Sequence, residues 1–156
     1  MDANFWPTIK ASSGDPAKLT ALLKDKSNED VIAFGSTFYQ LLINLNRWEI
    51  WGAGYVMAGG MSDDSFHYFR SWIIGKGEEA YATALKSPDD LGRFAGEDDD
   101  FDNELLEYVA VEILEERGVE DPRESPDGFA DDEPKGEEWD EDEVYAKYSK
   151  LAAQFE

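Results

Sequence analysis

The sequence predicts an all-α protein, an irregular multi-helix single domain with a long acidic loop region near its C-terminus. Apolar residues recur at steps of three and four through most of the first 118 positions, which is the period of helices packed on one face. Serine or aspartate precedes several of these runs, as expected for helix N-caps. No segment alternates apolar and polar residues as a half-buried strand would. The length of 156 residues suits one domain.

The first helices are predicted from their caps and apolar stripes. A short helix opens around Phe5, and Asp15 followed by proline starts a second one. Ser27 or Asn28 caps a third helix with a wide apolar face, and a break at 44–46 separates it from the next stripe. These signals are local, so they indicate where helices begin without indicating how the helices pack.

Glycines and caps also mark the later helices. The stripe that starts near Arg47 ends at Gly59, and Ser62 caps the helix that stops before Gly77. Short helical segments follow, and a further amphipathic helix stops at Gly118. The predicted domain, residues 1–156, thus has a helical core at 1–96 and 103–118, acidic loops at 96–102 and 119–138, and a closing segment at 139–156.

The net charge of −22 is concentrated late in the chain. Residues 1–96 carry a net charge of −3, whereas residues 97–143 carry −20 from 23 acidic and 3 basic side chains. Such a field repels nucleic acid and anionic membranes and attracts basic proteins, although it can also serve solubility alone. We therefore expect a basic protein partner and no nucleic-acid or membrane partner. The acidic partner surface is predicted at Asp98, Asp99, Asp100 and Asp102.

Several chemical classes lack the residues they need. The chain has no cysteine and one histidine, which excludes disulfides, thiolate metal sites and a cysteine nucleophile, and disfavours histidine-based triads. Its glycine pairs lack the strand, helix and lysine of phosphate loops, so no cofactor is predicted. The N-terminus has no basic, apolar leader, and no run reaches the roughly 20 apolar residues of a membrane span. A cytoplasmic location is therefore expected.

The centre of the chain carries a specific combination of aromatic, glycine and charged residues. These residues are Trp48-x-x-Trp51-x-Ala53, then Gly59-Gly60-x-Ser62-Asp63-Asp64-x-Phe66-x-x-Phe69-Arg70-x-Trp72-Ile73-Ile74-x-x-Gly77, and Pro88-Asp89-x-Leu91. The combination resembles the bacterial family known as domain of unknown function 4240. Phe5-Trp6, Glu104, Gly136-x-x-Trp139-Asp140 and Leu151 extend the resemblance over almost the whole chain.

Two positions depart from that family pattern. Met61 stands where the family has cysteine, and Ser149 stands where it tends to have proline before the last helix. Neither change alters a charged side chain, so both concern local packing. The resemblance implies a bacterial, stand-alone helical protein, and it brings no established activity or ligand.

A candidate ligand site lies around the tryptophan and aspartate pairs of this central pattern. Asp63 and His67 are four residues apart and His67 and Arg70 are three apart, so a helix would place them along one edge. With Glu49 they could hold a divalent cation or orient a general base, and whether a metal binds stays open. The candidate binding residues are Arg47, Trp48, Glu49, Trp51, Asp63, Asp64, Arg70 and Trp72.

The same residues also have purely structural interpretations. Two aspartates behind a serine cap stabilise a helix N-terminus electrostatically. Arg70 lies in an apolar stretch, which favours a buried ion pair with Asp63, Asp64 or Glu49, or stacking on a nearby tryptophan. A tryptophan stripe at helical spacing is more often core than ligand platform.

The function that these features favour is that of a non-enzymatic binding or regulatory protein that engages a basic protein partner. An immunity-type inhibitor of a toxin and a mimic of nucleic-acid charge both fit this expectation. Specificity is expected from aromatic anchors such as Phe101, Phe129 or Trp139. The alternative is a small-molecule- or metal-dependent enzyme that uses Glu49, Asp63, Asp64 and Arg70, and a third possibility is a structural module without a ligand.

Overall fold

The computed structural model describes residues 2–121 and 133–155. Within them the chain forms a series of helices and no β-strand, which confirms the predicted all-α class. None of these helices is long and apolar enough to cross a bilayer. The elements are α1 (Phe5–Ser12), α2 (Pro16–Leu23), α3 (Asn28–Asn44), α4 (Trp48–Ala58), α5 (Asp63–Lys76), α6 (Glu78–Lys86), a 3-10 helix η1 (Pro88–Phe94), α7 (Glu104–Glu116), α8 (Val144–Lys147) and α9 (Ser149–Phe155).

Side-chain caps start three of these helices at the predicted positions. Asp15 accepts a hydrogen bond from the main-chain N–H of Lys18, and Ser27 accepts one from the N–H of Asp30. Ser62 does the same for Ser65 at the start of α5. Each cap satisfies an N–H group that has no partner within its own helix, which fixes where the helix begins.

The helix α5 lies at the centre of the fold. It contacts α1, α3, α4, α6 and α7, and its segment 69–75 is buried on every side. The helices α2 and α3 pack on α7, whereas α9 packs on α4 and η1. The second half of α5 is therefore enclosed by neighbours, as its almost continuous apolar sequence requires.

The closing segment packs on the beginning of α4 and on η1. Just before this segment, the main-chain N–H of Lys135 donates to the carbonyl of Asn46, and the N–H of Trp48 donates to the carbonyl of Lys135, both at 2.9 Å. Farther along, the N–H of Leu151 donates to the Asp89 carboxylate at 3.1 Å. Val144, Tyr148 and Leu151 of this segment are buried. These residues of the closing segment therefore pack on the helices of the domain.

The predicted acidic loop at 119–138 is described at its two ends, 119–121 and 133–138. Lys135, in its last part, is joined to the chain between α3 and α4 by main-chain hydrogen bonds. The break between α3 and α4 leaves main-chain groups without helical partners. The N–H and carbonyl of Lys135 satisfy two of these groups. Residues 122–132, which include the predicted anchor Phe129, lie outside the described residues.

Candidate functional site

One side of α4 presents aromatic rings at the surface. Trp48, Trp51 and Tyr55 follow one another at steps of three and four, so the helix places them on one face, and each is half-buried. The indoles of Trp48 and Trp51 are stacked, with centroids 5.1 Å apart and planes 5° from parallel. The indole N–H of Trp51 donates to the Met61 carbonyl at 3.0 Å, which fixes the orientation of the inner ring.

The closing segment adds two more rings to this side. Trp139 packs edge-to-face on the stacked pair, with centroids 6.0 Å from Trp48 and 6.1 Å from Trp51. Tyr55 lies 5.0 Å from Trp139 and 6.3 Å from Tyr145. All five rings are half-buried, so together they form a continuous aromatic surface. We call Trp48, Trp51, Tyr55, Trp139 and Tyr145 the aromatic face.

Two hydrogen-bonding and packing details hold Trp139 in this cluster. Its indole N–H donates to the Trp48 carbonyl at 2.8 Å. Its ring also lies beside Gly52, where an added Cβ atom would come within 2.9 Å of the indole Cδ1 and 2.7 Å of the Tyr148 ring. The glycine therefore makes room for both side chains of the closing segment.

Acidic residues border the aromatic face along the closing segment. Residues 137–143 contain six acids and no base, with Trp139 in their midst. All six acids are exposed. Burial and the negative charge of Glu141 raise the pKa of Tyr55 above its usual value, which indicates that this acid lies near the rings. We call residues 137–143 the acidic run.

The stack of rings continues inward from the surface to a buried arginine. The Trp51 indole stacks on Phe66 at 5.0 Å with planes 5° apart, and the guanidinium of Arg70 lies 4.7 Å from the centre of the Phe66 ring. Arg70 also donates to the Leu42 carbonyl at 3.1 Å. The ring under the guanidinium is thus Phe66, which itself stacks on Trp51.

The acid that acts on Arg70 is one that the sequence reasoning did not single out. Burial lowers the pKa of Arg70 to about 10, and the negative charge of Glu107 acts in the opposite direction. Arg70 therefore stays protonated at neutral pH. Both oxygens of the buried Glu107 carboxylate lie 2.8 Å from Nε2 of His67. Glu107 shares the apolar side of α7 with Ala110 and Leu114. An acid on the apolar side of a helix is the sequence feature that could have indicated its burial.

The proposed ligand cluster at the starts of α4 and α5 is not brought together. Asp63 and Asp64 are exposed in the first turn of α5, which agrees with a helix-terminal role. Glu49 instead lies 3.6 Å from Arg47 and packs against Gly136. Among residues 2–121 and 133–155, no group of three histidine or acidic side chains could hold a metal ion. Glu49, Asp63 and Asp64 therefore do not form a three-ligand cluster.

The predicted surface at residues 98–102 is only partly a surface. Asp98, Asp100 and Asp102 are exposed, but Asp99 turns inward. Its carboxylate accepts hydrogen bonds from the Trp72 indole and from the main-chain N–H groups of Gly96 and Phe101, all at 3.0 Å, and lies 3.5 Å from Lys76. Asp99 therefore organises the loop, and the exposed carboxylates of this stretch are those of Asp98, Asp100 and Asp102.

Two aromatic residues of the prediction are also part of the interior. Phe101 is only 8% exposed and packs edge-to-face on Trp72, which itself is 3% exposed. Neither ring can serve as an exposed anchor in this conformation. The other tryptophans of the prediction, Trp48, Trp51 and Trp139, are half-buried and surround the start of α4.

Comparison with known proteins identifies one family. No curated protein and no solved structure matches the chain. The family described as protein of unknown function DUF4240 matches residues 2–116, which include α1 to α7 and the α4 part of the aromatic face. The chain belongs to the DUF4240 family.

Proposed function

We propose that this protein is a non-enzymatic binding protein that engages a basic segment of a partner protein through the aromatic face and the acidic run. The observation that supports the proposal is the contact between five half-buried rings and a seven-residue stretch with six acids. Aromatic residues supply much of the binding energy at protein interfaces, and acidic rims speed the approach of basic partners.

Charge and aromatic character favour the same kind of partner. Lysine and arginine side chains are attracted both to carboxylates and to the faces of tryptophan rings. The exposed acids of the loop at 96–102 extend the negative field without needing to touch the partner. Two partners of this chemistry are a toxin with a basic active site and a nucleic-acid-binding protein whose basic surface is masked by an acidic mimic.

A matched pair of charge variants tests the proposal. One variant changes Glu137, Glu138, Asp140 and Glu141 to their amides. The control changes Glu112, Glu115, Glu116 and Glu120, which are also exposed but lie on and after α7. Both variants remove four negative charges, so long-range attraction falls in both. The binding of a fluorescently labelled peptide of alternating arginine and glycine is measured by anisotropy at two salt concentrations.

The two variants should differ in affinity for the basic peptide. An exposed ion pair contributes about 0.2–1 kcal/mol, so loss of the four acids near the rings should weaken binding by about tenfold. The control on α7 should weaken it by a smaller factor that disappears at high salt because long-range attraction is then screened. An equal loss of affinity in both variants would show that peptide binding depends on net charge alone, which would contradict the proposal.

A further inference from the structure

The ring stack has an arginine at its inner end and the half-buried Trp48 at its outer end. Trp48, Trp51 and Phe66 lie in nearly parallel planes, and the Arg70 guanidinium lies over the Phe66 ring, 4.7 Å from its centre. The inner end therefore already holds a guanidinium against an aromatic ring. The outer end is Trp48, which is half-buried.

Within residues 2–121 and 133–155, one face of Trp48 has no aromatic or cationic neighbour. Trp51 covers the opposite face, and Trp139 meets the indole at 86°, held there by its hydrogen bond to the Trp48 carbonyl. No other ring or cation of residues 2–121 and 133–155 stacks on Trp48. The site is therefore a single flat aromatic surface and not a cage of several rings around one point.

We infer that the basic group bound at this site is an arginine guanidinium that stacks on the free face of Trp48, an inference that rests on the proposed function. A guanidinium is planar and weakly hydrated, so it can lie parallel to one ring and keep its N–H groups available for nearby carboxylates. A lysine ammonium is compact and strongly hydrated, and it gains most where several rings surround it. The flat face of Trp48 thus selects arginine over lysine.

Two peptides of equal length and charge separate this inference from the proposed function. One alternates arginine with glycine and the other alternates lysine with glycine, and each is titrated by anisotropy into the wild-type protein. The arginine peptide should bind about two- to fivefold more tightly, the range of a cation–π contact at an exposed site. The Trp48→Leu variant should lose this preference, whereas Trp6→Leu, which changes a half-buried tryptophan outside the aromatic face, should keep it.

A second measurement avoids any dependence on how well Trp48→Leu folds. In the wild-type complex, the side-chain protons of one arginine should shift upfield in the NMR spectrum because they lie above an aromatic ring. Equal binding of both peptides, with the charge variants still different, would overturn the arginine inference and leave the proposed function intact. A failure of both peptides to bind would overturn the two together.

Discussion

Trp139 donates its indole N–H to the main-chain carbonyl of Trp48 across 91 positions of sequence. The bond joins the closing segment to the first turn of α4 and sets the edge-to-face contact between the two rings. It also positions the acidic run beside the aromatic face, because Trp139 lies within that run. The relative position of rings and acids therefore depends on this contact.

Trp139→Phe should test the hydrogen bond while keeping an aromatic ring. A typical hydrogen bond contributes about 0.5–1.5 kcal/mol, so the free energy of unfolding in urea should fall by about that amount. Trp6→Phe is the matched control, because the structure shows no hydrogen bond from the Trp6 indole to any described residue. Equal losses in the two variants would mean that ring size alone matters at Trp139.

Gly52→Ala should destabilise the protein although alanine is the better helix former. In an open helix the change would stabilise by about 0.5–1 kcal/mol. Here the added methyl group would collide with the rings of Tyr148 and Trp139, and overpacking costs about 1–3 kcal/mol. Urea unfolding should show a net loss that shrinks in a Tyr148→Ala background, where the nearer of the two collisions is removed. A gain in stability from Gly52→Ala alone would contradict the packing described here.

The helix boundaries were predictable because their signals are local. Ser27 and Ser62 cap their own helices through N–H groups only three residues away. The position of Trp139 was not predictable in the same way, because its partners belong to a helix that is distant in sequence. The sequence indicated that the closing segment returns to the body, but not that it completes a surface with α4.

Asp99→Ala should affect stability, whereas Asp100→Ala should not. Hydrogen bonds to a charged group contribute about 1.5–3 kcal/mol, and Asp99 accepts several of them. Asp100 is exposed, and such surface changes usually stay within about 0.5 kcal/mol. Thermal or urea unfolding measures both. Equal effects would restore the view of residues 98–102 as an undivided acidic surface.

The stability that Asp99 contributes should also depend on pH. Burial opposes ionisation, but hydrogen bonds from the N–H groups of Gly96 and Phe101 and the charge of Lys76 hold the pKa of the Asp99 carboxyl below its usual value. The folded state thus binds this proton less readily than the unfolded state. The contribution is present above the unfolded pKa of 3.8 and is lost as the pH falls through the lower folded value. The Asp99→Ala variant should lose stability less steeply in that range than the wild type.

Tyr148→Phe should change stability only at alkaline pH. Burial raises the pKa of Tyr148 to about 12, with the charges of Glu49 and Asp89 acting in the same direction. The contribution of the neutral phenol is therefore complete below the unfolded pKa of 10 and is lost as the pH rises toward 12. Its hydroxyl makes no hydrogen bond within the described residues, so phenylalanine should be tolerated at pH 7. Parallel pH curves for variant and wild type would contradict this account.

The site was harder to predict than the fold because exposure depends on tertiary packing. The spacing of Trp48 and Trp51 identified one face of a helix, but not whether that face is buried. Asp99 belongs to an acidic stretch, yet the Trp72 indole, 27 positions away, draws its carboxylate inward. Glu107 stands on the apolar side of α7, and that unusual position could have indicated its buried partner.

The most direct test uses the indole N–H signals of the five tryptophans. A proton–nitrogen NMR spectrum of the labelled protein is recorded while the arginine–glycine peptide is added. The account predicts shifts for Trp48, Trp51 and Trp139 and unchanged signals for Trp6 and Trp72, which lie outside the aromatic face. Shifts confined to Trp6 or Trp72, or unmoved signals from the three face tryptophans at saturating peptide, would contradict the claim that this surface binds basic segments.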